Sequence, residues 1–194
     1  MKRYLLFLIL LSNQAIAQDE VKINRVEAGY LTGDASFIRR QQLIGAGSRS
    51  LDSFYGLQFS YSYLYNRNWS IETGLGFSSI KFRSYGAPGI NVPTRDHDVN
   101  ILSVPLKIRY NIGKFVFFSG GGIIDLDVKN TDGINSLSGF GLTAGAGLKY
   151  DLKSGPGIFI NPQLTSHALI PFTSEKNILK LLNASVSFGL SYAF

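Results

Sequence analysis

Four charged side chains stand where an alternating chain would hide them: Glu72, Lys107, Arg109 and Lys149. Each shares its side of an extended segment with Gly, Ser or Pro, while Leu, Ile and aromatic residues occupy the other side. Enclosed charges need partners of opposite sign, because an ion taken from water without one costs several kcal/mol. Two arrangements would serve. A salt-bridged cluster would fill a closed interior, whereas a row of charges would line a narrow solute path.

Other constellations are weaker. Ser166-His167 with Glu175 offers the residue types of acyl hydrolysis. Adjacent residues of a regular strand point to opposite faces, however, so this serine and this imidazole do not readily meet. Arg95-Asp96-His97-Asp98 places two acids around one histidine, and Asp125, Asp127 and Asp132 could gather oxygen ligands. Neither follows the ligand spacing of a zinc or calcium site. The expected reading is polar loops, no cofactor, no metal and no catalysis.

The elements that must position these residues are strands. Alternation marks segments near Val21 to Thr32, Phe54 to Leu64, Trp69 to Ser78 and Asp98 to Tyr110. It continues near Phe115 to Leu126, Leu137 to Tyr150, Gly157 to Thr165 and Leu182 to Phe194. The fifth segment has no clear phase: Val116, Phe118 and Ile124 share one face, and Phe115, Phe117 and Ile123 share the other. Segments of about 9 to 14 residues exceed the usual soluble strand and match a tilted membrane strand. Long connections, covering roughly 33–53, 79–97, 127–136 and 166–181, alternate with short ones near 65–68, 111–114 and 151–156. That is an up-and-down order.

The N-terminus reads as an export signal. Lys2 and Arg3 precede an apolar run from Tyr4 to Leu11, and Ala15-Ile16-Ala17 supplies a small-x-small cleavage site. The run is too short for a helix crossing about 30 Å of hydrocarbon. Residues 1–17 are thus expected to leave, with 18–194 forming one domain. There is no cysteine, so no disulfide or thiol chemistry is available. The formal charge is +6, or +4 once Lys2 and Arg3 depart, and the basic residues are dispersed, which argues against a nucleic-acid partner.

Two folds share this alternation and differ in sense. A soluble barrel with an apolar interior, as in lipocalins, would turn the greasy face inward. Here the opposite face is dominated by Gly and Ser rather than Lys, Glu and Thr, which suits a confined lumen. The expected fold is therefore an all-β, eight-stranded, up-and-down antiparallel transmembrane β-barrel, closed because hydrocarbon offers no partner to an open sheet edge. Tyr30, Tyr63, Trp69, Tyr110, Tyr150 and Tyr192 fall near segment ends on the lipid side, as interfacial aromatics should. The last strand carries Phe188, Leu190, Tyr192 and the terminal Phe194 on one face.

The stretches Leu102–Tyr110, Gly120-Gly121-Gly122, Gly141–Tyr150 and Gly189–Phe194 resemble the small outer-membrane β-barrels of the Bacteroidota, the PorT-like family, similar in architecture to OmpX-type barrels. The resemblance implies an integral outer-membrane location and a terminal strand recognised by the barrel-assembly machinery. It implies little about activity. The expected role is a monomeric structural or interaction barrel with a mostly filled lumen, set among membrane lipids and lipopolysaccharide. Its outer loops would be the working surface for a protein or glycan partner, through Phe37, Ile38, Arg39, Arg40, Leu43 and Ile44, Tyr85, Ile90 and Val92, and Leu169 to Phe172. A narrow channel or small-hydrophobe conduit is the first alternative, and a lipid-modifying enzyme the second.

Overall fold

The computed structural model describes residues 23–38, 49–66, 68–84, 95–128, 137–172 and 180–194. The leader, Arg39, Arg40, Leu43, Ile44, Tyr85, Ile90, Val92, Asp132 and Glu175 lie outside them. The described residues form β1 (Asn24–Ile38), β2 (Arg49–Leu64), β3 (Trp69–Ser84), β4 (Arg95–Ile112), β5 (Val116–Asp127), β6 (Gly139–Asp151), β7 (Pro156–Pro171) and β8 (Lys180–Ala193). Consecutive strands pair antiparallel, and β8 returns to β1, so the sheet closes into a barrel. Closure leaves no strand edge unpaired.

The wall has the sense of a membrane barrel. Leu57, Phe59, Leu75, Leu106, Ile108, Leu142, Leu164 and Leu190 point outward, each at least half exposed. Gln58, Ser60, Ser70, Ser119, Thr143, Ser185 and Ser187 point inward and are buried. A soluble protein would have little reason to give its largest apolar side chains to water on all eight strands.

Several strands run further toward the long-loop end than alternation indicates. β1 continues past Thr32 to Ile38, β3 past Ser78 to Ser84 and β7 past Thr165 to Pro171, while β2 begins at Arg49 rather than Phe54. Residues 95–97 and 169–171, expected as loops, are strand. The physical reason is a change of interior. Phe54, Ile80, Phe82, Val99, Ile101 and Leu181 turn inward there, so the apolar side of each strand no longer marks the lipid side.

β5 resolves its phase in the same way. Phe117 and Ile123 are 0% and 5% exposed inside the lumen, whereas Phe118 and Ile124 face outward at 49% and 40%. Phe117 fits because β6 offers Gly147 opposite: a Cβ on that glycine would stand only 2.3 Å from the Phe117 ring. Phe115 lies in the turn before β5 and carries no face information. The lumen is thus layered, with ions toward the short-turn end and an apolar cluster toward the other.

Candidate functional site in the lumen

Arg109 is the hub of the charged layer. Its guanidinium donates to both oxygens of Glu27, Nη1 at 2.6 Å and Nη2 at 2.8 Å, and Nη2 lies 2.6 Å from Glu72 Oε2. Lys107 Nζ is 2.5 Å from the other Glu72 oxygen. The side chains of Glu27, Glu72, Lys107 and Arg109 are at most 4% exposed. Arg109 also stacks on Phe117, with Cζ 4.3 Å from the ring centroid. Nearer the short-turn end, Arg25 pairs with Asp151 at 2.5 and 2.8 Å and stands 3.8 Å from Glu27.

The strands bring these groups together through simple parity. Glu72 lies opposite Lys107 across the β3–β4 pairing, and Arg109 follows two residues on, on the same face. Glu27 reaches the hub from β1. Of the four residues singled out from sequence, Glu72, Lys107 and Arg109 meet in this cluster. Lys149 does not join it: its ammonium donates to Asn111 Oδ1 at 2.7 Å. Glu27, Arg25 and Asp151 belong to the network and were missed. Arg25 and Glu27 lie on the face of β1 opposite Val26, Ala28 and Tyr30, so the same alternation could have found them. Asp151 closes β6 rather than opening the turn.

A second polar group sits higher, against the apolar cluster. His167 Nδ1 is 2.9 Å from Asp125 Oδ2, and Ser103 donates to Asp125 Oδ1 at 2.5 Å. Asp125 and His167 stand on β5 and β7, with β6 between them. The strand in between presents Gly139 opposite Asp125. A register shift between Phe140 and Leu142 on the β6–β7 pairing accompanies Ala168, buried with φ of 49°. His167 points inward by the same parity as Phe159, Asn161 and Thr165.

Among the described residues no serine hydroxyl is hydrogen-bonded to the His167 imidazole. Ser103 gives its proton to the carboxylate rather than to the imidazole, while Ser166 is the strand neighbour of His167 and faces the other way. Asp125 is spent on His167 and Ser103. Asp127 accepts from the Leu137 amide at 3.3 Å, and Asp96 accepts from Arg83 Nε at 3.1 Å. No group of three or more metal-ligating side chains occurs among the described residues.

On the outer wall, Trp69 packs on Tyr110 at 4.6 Å between ring centroids, Phe115 on Tyr150 at 6.1 Å and Tyr192 on Phe194 at 6.0 Å, all near the short-turn end together with Tyr63. Tyr30 departs from that placement. Because β1 runs on to Ile38, Tyr30 is inside the strand, paired with Leu57 and Phe188 and 5.7 Å from the Phe188 ring. Phe188, Leu190, Tyr192 and Phe194 all face outward, and Phe194 exchanges both backbone hydrogen bonds with Asn24, at 2.9 and 3.0 Å.

Among the described residues no helix is long and apolar enough to cross a membrane; the crossing elements are strands. No curated protein matches the chain in sequence. Its fold is similar to that of the outer membrane protein OprG from Pseudomonas aeruginosa, with a TM-score of 0.57 and 13% identity over 89% of this chain and 94% of that one. It is likewise similar to the outer membrane protein AlkL, determined in lipid bilayers, with a TM-score of 0.55 and 17% identity over 93% of this chain and 94% of that one. The model of the outer membrane protein beta-barrel domain matches residues 4–194. The chain therefore belongs to the outer membrane protein beta-barrel domain family and is an integral β-barrel of the outer membrane.

Proposed function

We propose that this protein is a non-enzymatic barrel with a filled lumen, acting through its extracellular end in a structural or partner-binding role. The observation that carries this reading is closure of the interior at two levels. Glu27, Glu72, Lys107 and Arg109 interlock across the lower lumen, and Ile80, Phe82, Val99, Ile101 and Leu181 pack above them at no more than 2% exposure. An eight-stranded interior is about the size that side chains can fill. Short turns define the periplasmic end of such barrels, which leaves the long connections outside.

In this reading the leader is cleaved after Ala17, the chain works as a monomer among outer-membrane lipids and lipopolysaccharide, and assembly reads the terminal strand. The PorT-like likeness supports that setting and lends no activity. The missing serine–imidazole contact supports the non-enzymatic assignment. Planar-bilayer recording tests the filled lumen: no steady unitary current is expected, and reproducible open events would overturn it. Replacing residues 39–48 or 173–179 by a short turn is expected to abolish partner capture while the barrel still folds.

One observation favours a second reading, a conduit for small hydrophobic molecules. The upper lumen is packed with Leu31, Phe54, Ile80, Phe82, Val99 and Leu181 rather than with polar side chains, so any path opened by their movement would be apolar. Uptake of a fluorescent apolar probe by vesicles carrying the protein, set against empty vesicles, distinguishes the two: enhanced uptake would favour the conduit.

A further inference from the structure

Below the ion cluster, a cavity of about 70 Å³ opens at the periplasmic mouth of the lumen. Arg25, Ser62, Ser70, Arg109, Asn111 and Lys149 are among its lining residues, and none of the lining residues is acidic. The two arginines are already committed, Arg25 to Asp151 and Arg109 to Glu27 and Glu72. Lys149 is not. Its single hydrogen bond goes to the neutral Asn111, and it makes no ion pair among the described residues.

Within the buried network and its neighbour Lys149, the cations Arg25, Lys107, Arg109 and Lys149 stand against Glu27, Glu72 and Asp151, so one positive charge exceeds the acids. Ser62, 3% exposed, stands on the lining beside Arg25 and Lys149. The Lys149 ammonium carries three N–H donors and spends one on Asn111, which leaves two for an acceptor in the hollow.

We propose that this vestibule binds a small oxyanion, of which inorganic phosphate is the simplest, with Lys149 as its principal ligand and Ser62 and Arg25 beside it. One water needs about 10–15 Å³ of such space, so the cavity has room for a tetrahedral anion where water alone would leave the charge uncompensated. An oxyanion would take the unspent N–H groups of Lys149 as charge-assisted hydrogen bonds and neutralise the excess. The site is independent of whatever the extracellular end does.

The test uses the full barrel refolded in dodecyl maltoside without lipid. Its urea midpoint is followed against sodium phosphate and against sodium chloride at matched ionic strength, because a ligand of the folded state stabilises it saturably. Phosphate is expected to raise the midpoint beyond chloride. Lys149→Gln is expected to weaken phosphate about tenfold or more, as loss of a charge-assisted hydrogen bond should, while Lys149→Arg retains it. Equal midpoints in the two salts, or an undiminished phosphate effect in Lys149→Gln, would overturn the proposal. If that variant does not fold, Ser62→Leu fills the cavity instead, and a surviving phosphate effect there overturns it equally. Adding phosphatidylglycerol or phosphatidylcholine vesicles identifies the source: competition by the anionic lipid alone assigns a headgroup phosphate, and no competition assigns the free ion.

Discussion

Arg109 on β4 holds both carboxylate oxygens of Glu27 on β1, although β2 and β3 stand between those strands in the wall. The contact crosses the lumen, so it fixes β4 against the strand that forms the closing seam with β8. Arg109→Met would leave Glu27 and Glu72 buried without their main partner, and a broken buried pair costs about 3–5 kcal/mol. Urea unfolding of the barrel in detergent should show that loss. Adding Glu27→Gln to Arg109→Met, with Glu72 still paired to Lys107, should restore much of it. If the double variant is as unstable as the single one, the loss comes from packing on Phe117 and not from stranded charge.

Leu106 lies on the lipid side of β4, 64% exposed and four residues above Tyr110. Arginine at the middle of a barrel's lipid face costs about 2–4 kcal/mol, and near the interface about 0–1. Leu106→Arg should therefore destabilise the barrel in vesicles far more than Tyr63→Arg, which sits near the aromatic rim. Similar costs at the two sites would contradict the inside-out sense of the wall.

That sense was legible in sequence because period-two alternation reports a face, and the balance of Gly and Ser against Lys and Glu reports which face is confined. Strand count, pairing order and the Glu72–Lys107–Arg109 association follow from it. What stayed hidden has one cause: alternation is informative only where one side meets lipid and the other does not. Above the hydrocarbon, Ile80 and Phe82 turn inward while Lys81 faces out, so the strand ends at that level could not be read. The Asp125–His167 pair was hidden for another reason. His167 lies on the inward parity of Phe159, Asn161 and Thr165 but beyond the Thr165 end that alternation gives β7, and nothing periodic sets its height against Asp125 two strands away.

Removing Asp125 tests how much that pair contributes. In Asp125→Ala, His167 would have no partner on Nδ1, and Nε2 already has none. A buried polar group left unsatisfied costs about 1–3 kcal/mol. Asp125→Asn keeps an acceptor for the ring and should lose less. The unfolding midpoints should rank wild type, then Asp125→Asn, then Asp125→Ala; a reversed order of the two variants would show that the pair does not stabilise the upper lumen.

Neighbouring glycines on β5 should answer the same substitution differently. A Cβ on Gly121 would stand 2.1 Å from the Leu106 carbonyl oxygen and 2.6 Å from Lys107 Cα, both backbone atoms of the paired strand. On Gly120 it would meet nothing closer than the Thr143 oxygen at 3.7 Å. Gly121→Ala must push β4 and β5 apart, and overpacking of that kind costs about 1–3 kcal/mol. Gly120→Ala should be close to neutral. The folded fraction on unboiled electrophoresis separates them, and equal folded fractions would mean that the wall yields locally at Gly121.

Phe194 joins two roles that deletion can pull apart. Its backbone exchanges hydrogen bonds with Asn24 at the seam, and its ring extends the outward strip of Phe188, Leu190 and Tyr192. Two exposed hydrogen bonds at the end of a ladder contribute about 0.5–1.5 kcal/mol each, a modest share of a barrel closed along the whole of β1 and β8. If the terminal strip serves only closure, deleting Phe194 should lower stability by that amount, and assembly in cells should fall in proportion. If the assembly machinery reads the strip, the deleted chain should refold in detergent nearly as well as the parent, yet accumulate far less in the outer membrane. The second outcome is expected, because burying a terminal aromatic ring in lipid adds little to a seam that the preceding residues of β8 already hold.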